Sequence, residues 1–118
     1  LTVSQLRRTI ATPGLLAYTL IDSDAGDEPL GHVELVTVPT TGTEPRLARV
    51  LLAPAVRGRG WAARLVALAL EEARAQGLRS LALTVIATNE AAIRTYTKLG
   101  FVIVDHPRPD ALAMRLDL

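Results

Sequence analysis

The sequence predicts a mixed α/β domain in which a predominantly antiparallel sheet is flanked by helices. Apolar runs rich in Leu, Val and Thr fill the first half and are separated by clusters of turn residues. After Pro54 the apolar period becomes helical, and short apolar runs then alternate with helical segments to the end of the chain. At 118 residues the chain fits one compact domain, residues 1–118, with a single hydrophobic core.

Residues Thr2 to Ile10 predict a short helix, with Leu6 and Ile10 four apart, Ser4 placed as a cap, and Pro13-Gly14 as the stop. Leu15 to Ile21 and Leu30 to Val38 predict strands, and the stretch Asp22 to Glu28, with Asp24, Gly26 and Asp27, supplies the turn of a hairpin. A polar loop from Pro39 to Glu44 leads into a third strand, Leu47 to Ala53, which Pro54 ends. Trp61 to Gln76 then places Val66, Ala69, Leu70 and Ala73 on one helical face and Arg64, Glu71 and Arg74 opposite. Gly77 stands where a helix C-cap glycine belongs. Leu81 to Ala87 predicts a buried strand, Asn89 to Leu99 a helix capped by Thr88 or Asn89 and stopped by Gly100, Phe101 to Val104 a strand, and Ala111 to Leu116 the last strand.

Composition narrows the function. A net charge of +1 argues against nucleic-acid binding, which uses a strongly basic surface to track phosphates. The absence of cysteine excludes disulfides, thiolate metal sites and a cysteine nucleophile. His32 and His106 are too few and too far apart in sequence to announce a metal site, and no metal is expected. Apolar runs such as Leu65 to Leu70 fall far short of the roughly 20 residues that cross a bilayer, so no membrane partner is expected. The chain opens at Leu1 without a visible signal peptide; missing upstream residues and a cytoplasmic location are the expectations.

Two stretches carry chemistry. In Leu52-Ala53-Pro54-Ala55-Val56-Arg57-Gly58-Arg59-Gly60-Trp61-Ala62 a strand runs into a Gly-rich turn that opens a helix. Glycines let the backbone approach an anion, successive amides face one concavity, and the helix N-terminus adds partial positive charge. An ordinary tight strand-to-helix connection accounts for the same residues. The second stretch is Asn89-Glu90-Ala91-Ala92-Ile93-Arg94-Thr95-Tyr96-Thr97-Lys98-Leu99-Gly100-Phe101. It resembles the Asn-x-x-Ala-x-x-x-Tyr-x-x-x-Gly-Phe motif of the GNAT family of N-acetyltransferases. Arg57-Gly58-Arg59-Gly60-Trp61-Ala62 is similar to that family's Arg/Gln-x-x-Gly-x-Gly/Ala motif, in the same order and spacing. The likeness runs from about Leu15 to the C-terminus.

The resemblance implies an acetyl-coenzyme A dependent N-acetyltransferase in which an amine attacks the bound thioester directly; a non-catalytic acyl-coenzyme A binding or interaction module is the alternative. It implies that backbone amides of Gly58, Arg59, Gly60, Trp61, Ala62 and Ala63 hold the pyrophosphate, with the charges of Arg57 and Arg59 close by. Leu52 would lend backbone groups to the pantetheine arm, lying where two strands splay apart. Asn89 would hydrogen-bond the cofactor, and it equally suits a helix cap. Tyr96, two helical turns onward, would be the general acid that protonates the leaving thiolate, or a half-buried helix residue. Trp61 suits either stacking on a ligand or packing, and Arg94 and Lys98 either an outer phosphate or a solvated face.

The positions at which some relatives carry a basic glutamate are Ala48 and Thr84, which leaves water-mediated transfer, with Glu34 and His106 as relays or as plain polar residues. The acceptor is expected to be an amine-bearing small molecule or peptide. The family normally begins with a strand and a helix that this chain lacks. Leu15 to Ile21 is therefore expected to be an unprotected edge, covered by upstream residues, a further domain or a second copy in a homodimer.

Overall fold

A computed structural model of the chain describes residues 4–12, 14–22, 26, 28–37 and 44–118. The expected helix start at Thr2, the turn residues Pro13, 23–25 and 27, and Val38 with the loop 39–43 lie outside the described residues. The elements are β1 (Ser4–Thr12), β2 (Leu15–Asp22), β3 (Glu28–Val36), β4 (Arg46–Leu52), a 3-10 turn (Pro54–Val56), α1 (Trp61–Ala75), β5 (Ser80–Ile86), α2 (Glu90–Lys98), β6 (Val102–Arg108) and β7 (Ala111–Asp117).

The strands form one seven-stranded sheet in the order β1-β2-β3-β4-β5-β7-β6. Every neighbouring pair is antiparallel except β4 and β5, which run parallel and are joined through α1. This is the mixed, mostly antiparallel sheet with helices that the sequence predicts.

The first expected helix is a strand. Leu6 and Ile10 are four apart, a spacing that fits a strand of period two as well as a helix, and Thr9, Ile10 and Thr12 are β-branched residues that prefer the pleat. Gly14, at φ 85, adopts the left-handed conformation that lets Thr12 pair with Leu15 and the segment fold back as a hairpin. Leu15 to Ile21 is consequently not an edge, because β1 pairs with it on one side and β3 on the other. The ground for a partner covering that strand is thereby removed. A smaller correction concerns the strand expected from Phe101 to Val104: β6 runs from Val102 through Arg108. β6 is an edge strand paired only to β7, and an edge tolerates the missing N–H of Pro107.

The core lies between α1 and the sheet. α1 buries Trp61, Leu65, Val66, Ala69, Leu70 and Ala73, the 3.6-residue stripe expected of a surface helix. These join Tyr18 and Leu20 of β2, Val33 and Leu35 of β3, and Leu81, Leu83 and Val85 of β5 in one cluster. Each fully buried aliphatic side chain there contributes about 1.5–3 kcal/mol. Gly31 of β3 packs closely under both β4 and the helix: an added Cβ would lie 2.8 Å from the Leu51 carbonyl oxygen and 3.2 Å from a methyl of Leu65.

Candidate functional site

β4 and β5 are bridged at their beginnings, by the pair Arg46 and Ala82 and by a 2.9 Å hydrogen bond from the Ala82 amide to the Pro45 carbonyl. Beyond that bridge the two parallel strands separate, and a cleft of about 540 Å³ opens between them. Its walls are β4 from Leu47 to Leu52, β5 from Leu83 to Ile86, and the first two turns of both helices. Each helix follows its strand directly, so both helix N-termini stand at the open, C-terminal end of the splayed pair, where parallel strands commonly bind ligands. The facing edges of two strands without a third between them also suit an extended ligand that lies in the gap as a strand would.

The N-terminus of α1 lacks a side-chain cap. Gly60 is the N-cap residue at φ 78, in the left-handed region that glycine enters without a Cβ penalty, and Gly58 precedes it at φ 75. An added Cβ at either position would meet nothing within 4 Å, so it is the backbone conformation, not crowding, that calls for glycine. The amides of Trp61, Ala62 and Ala63 belong to the first helical turn and have no partner within the helix. With the helix dipole behind them, amides so placed suit an anion. Arg57 and Gly58 line the cleft beside this turn.

The N-terminus of α2, by contrast, is capped. Asn89 Oδ1 accepts the Ala92 amide at 3.2 Å, which leaves its amide NH₂ group outside the cap, and the residue also lines the cleft. Tyr96 stands on the same helix two turns on, lines the cleft, and is only 9 % exposed. Its ring packs edge-on against Phe101, with centroids 5.7 Å apart. Burial raises its pKa above the ordinary value of 10, which keeps the phenol protonated and able to donate.

Of the residues singled out from the sequence, Leu52, Arg57, Gly58, Ala62, Asn89 and Tyr96 line this cleft together. Arg59, Gly60, Trp61 and Ala63 are not on its surface; Gly60 and the helical amides shape the turn beside it, and the Trp61 ring is buried in the core. Arg94 and Lys98 are exposed and off the cleft. Ala48 and Thr84 lie on its two walls. His106 is exposed on β6, away from the cleft.

Arg49 and His32 went unassigned in the sequence. Between the pairs His32–Leu51 and Glu34–Ala48, β4 carries one residue more than β3, a bulge at which Arg49 takes φ 51 in the cleft wall. Arg49 Nε lies 3.5 Å from Glu34 Oε1, and His32 Nε2 lies 2.8 Å from Glu34 Oε2. An i, i+2 pair gains meaning only once the segment is known to be a strand, since such residues share a strand face and not a helix face. Among the described residues no group of three or more His, Asp or Glu side chains is arranged to hold a metal ion. No described helix is long and apolar enough to cross a membrane.

A model of the acetyltransferase (GNAT) family matches residues 5–101. A curated relative, the uncharacterized N-acetyltransferase YjgM of Escherichia coli (strain K12), is 37% identical over 71 residues, which are 58% of this chain and 42% of the relative. Among solved structures, spermidine N-acetyltransferase from Vibrio cholerae in complex with CoA and spermine superposes with a TM-score of 0.77 at 23% identity. That match covers 88% of this chain and 66% of the other. The GNAT domain of S. lividans PAT gives a TM-score of 0.76 at 21% identity, over 89% of this chain and 61% of that one. The chain thus spans less than half of the curated relative and just under two thirds of these structures. At such identities the structural matches speak for the fold.

Proposed function

The chain belongs to the acetyltransferase (GNAT) family, and from that membership we propose that it transfers the acetyl group of acetyl-coenzyme A to an amine by direct attack. The observation that carries the reading is the cleft between splayed β4 and β5, with the uncapped N-terminus of α1 at its open end and the Tyr96 phenol on its wall. In this reading residues 1–118 act as one acetyltransferase domain. A cytoplasmic location belongs to the same proposal and is tested by fractionation.

Each part has a chemical role. The free amides of α1, with Arg57 beside them, hold the pyrophosphate of the cofactor by charge-assisted hydrogen bonds. The facing edges of β4 and β5, Leu52 included, pair with the amide-bearing pantetheine arm, and the Asn89 side chain donates to it. The amine nitrogen then attacks the thioester carbonyl, the C–N bond forms, the C–S bond breaks, and the departing thiolate receives a hydrogen bond or proton from Tyr96. The acceptor is an amine-bearing small molecule or peptide.

Calorimetry with coenzyme A tests the phosphate site. Gly60→Glu places a carboxylate at the field meant for pyrophosphate and abolishes binding, whereas Gly60→Ala imposes a similar backbone strain of about 1–2 kcal/mol without the charge and retains measurable binding. Circular dichroism must be unchanged in both. Undiminished affinity in the Glu variant would remove the phosphate role from this turn.

A further inference from the structure

We propose that His32 takes the proton from the acceptor amine and that Glu34 holds its ring for that purpose, an inference that rests on the acetyl-transfer reading above. An amine of lysine type is almost entirely protonated at pH 7, so attack needs a group to remove a proton, and the cleft wall has none at Ala48 or Thr84. His32 and Glu34 are two apart on β3 and therefore share a face of the sheet. The cross-strand partner of Glu34 is Ala48, whose side chain is a single methyl and which lines the cleft, so the carboxylate stands one strand from the gap. His32 lines an open, apolar hollow of about 290 Å³ together with Pro29, Leu30, Leu51 and Leu52. Leu51 and Leu52 also line the cleft, so hollow and cleft share a wall, and His32 flanks it.

The division of labour follows from which atoms are engaged. The Glu34 side chain is 14% exposed and both its oxygens have cationic or donor partners, Oε2 with His32 Nε2 at 2.8 Å and Oε1 with Arg49 Nε at 3.5 Å. Both oxygens are thereby committed to those partners. His32, at 31% exposed, keeps Nδ1 free for a proton once Nε2–H is turned to the carboxylate, and the carboxylate stabilises the imidazolium that forms. Arg49 of β4 is the charged group that faces the pair from a neighbouring strand; the residues opposite it on β2, Ala17 and Thr19, are uncharged.

The balance is simple. The ammonium gives one proton to His32 Nδ1, which passes it to solvent from its exposed edge. The free amine forms the C–N bond as the C–S bond breaks. The second amine proton leaves through solvent, and the thiolate, held by the hydrogen bond from the Tyr96 hydroxyl, takes one proton back from solvent. The products are the amide, coenzyme A and one released proton.

The test is kcat/KM for acetyl transfer to the best amine of a panel, measured from about pH 5.5 to about 9.5, with coenzyme A affinity measured beside it. His32→Gln is expected to lose about a hundredfold or more at neutral pH with cofactor affinity unchanged. Its remaining rate should climb about tenfold per pH unit as free amine accumulates, where the unmodified protein levels off. Glu34→Gln, which leaves the ring without the carboxylate that orients it, is expected to lower kcat about tenfold or more with KM for the amine and coenzyme A affinity unchanged, a split that a merely structural pair would not produce. A His32→Gln protein with unaltered rate and profile, in an assay where Tyr96→Phe is slowed, overturns the role of His32 and leaves acetyl transfer standing. An unchanged kcat in Glu34→Gln likewise overturns the pairing. A chain that binds coenzyme A and acetylates no amine overturns both proposals.

Discussion

Replacing Tyr96 by Phe removes one oxygen from the cleft wall and leaves the edge-on contact with Phe101, 5.7 Å between centroids, in place. Burial holds the phenol above its ordinary pKa of 10. A thiol of cysteine type ionises near 8.5, so full proton transfer from the phenol to the thiolate runs uphill by about 2 kcal/mol or more. In the proposed reaction the hydroxyl would therefore act chiefly through a charge-assisted hydrogen bond to sulfur as the thiolate develops, an interaction worth about 1.5–3 kcal/mol. That energy corresponds to a loss of about 10- to 150-fold in rate. Coenzyme A release under saturating acetyl-coenzyme A gives kcat, and calorimetry gives cofactor affinity; the account expects the loss in kcat and not in affinity, because the charge appears only in the transition state. Equal rates for the two proteins at every pH would remove Tyr96 from the mechanism. A loss confined to affinity would make it a binding residue.

Two further perturbations test the frame around the cleft. Gly31→Ala puts a methyl 2.8 Å from the Leu51 carbonyl oxygen and 3.2 Å from side-chain atoms of Leu52 and Leu65, so it should cost about 1–3 kcal/mol in a denaturant titration; an unchanged midpoint would refute the close approach of α1 to β3. Both tyrosines of the chain are raised above 10, Tyr96 by burial and Tyr18 by burial and then by the nearby Glu72 carboxylate. The stability that the neutral phenols contribute is fully present below the ordinary value and is lost as pH rises through the folded values, so alkaline unfolding should accompany their ionisation. A tyrosine that titrates spectrophotometrically at or below 10 in the folded protein would contradict this.

What the sequence disclosed was local. α1 was legible because its buried stripe repeats at the helical period between Gly60 and Gly77, and α2 because Asn89 caps it and Gly100 ends it. The strands from β2 to β5 were legible as apolar runs between turn residues. β1 was not, since the spacing of Leu6 and Ile10 suits both periods and only pairing with β2, a non-local event, decides between them. β6 was cut short for a similar reason: Pro107 reads as a loop residue until the strand is known to lie at the sheet edge.

Within the candidate site, the Gly-rich turn, Asn89 and Tyr96 were legible because a motif places them at fixed offsets. The bulge was invisible, because Arg49 adopts φ 51 without the glycine or asparagine that usually marks a left-handed residue. His32 looked isolated because its partner, Glu34, sits beside it only on a strand. Tyr18, whose hydroxyl is buried near the Glu72 carboxylate, could not be singled out from composition at all. It became visible only with α1 laid across β2 and β3.

The central claim is that this cleft transfers an acetyl group, and the most direct measurement follows both products at once. The chain is incubated with acetyl-coenzyme A and a panel of amines that includes spermidine, small aliphatic amines and peptides, and free thiol and N-acetylated amine are quantified together. The account predicts equimolar coenzyme A and acetylated amine, formed over many turnovers and lost in Gly60→Glu. Tight cofactor binding with no acetylated amine from any member of the panel would contradict it and leave the domain a binding module.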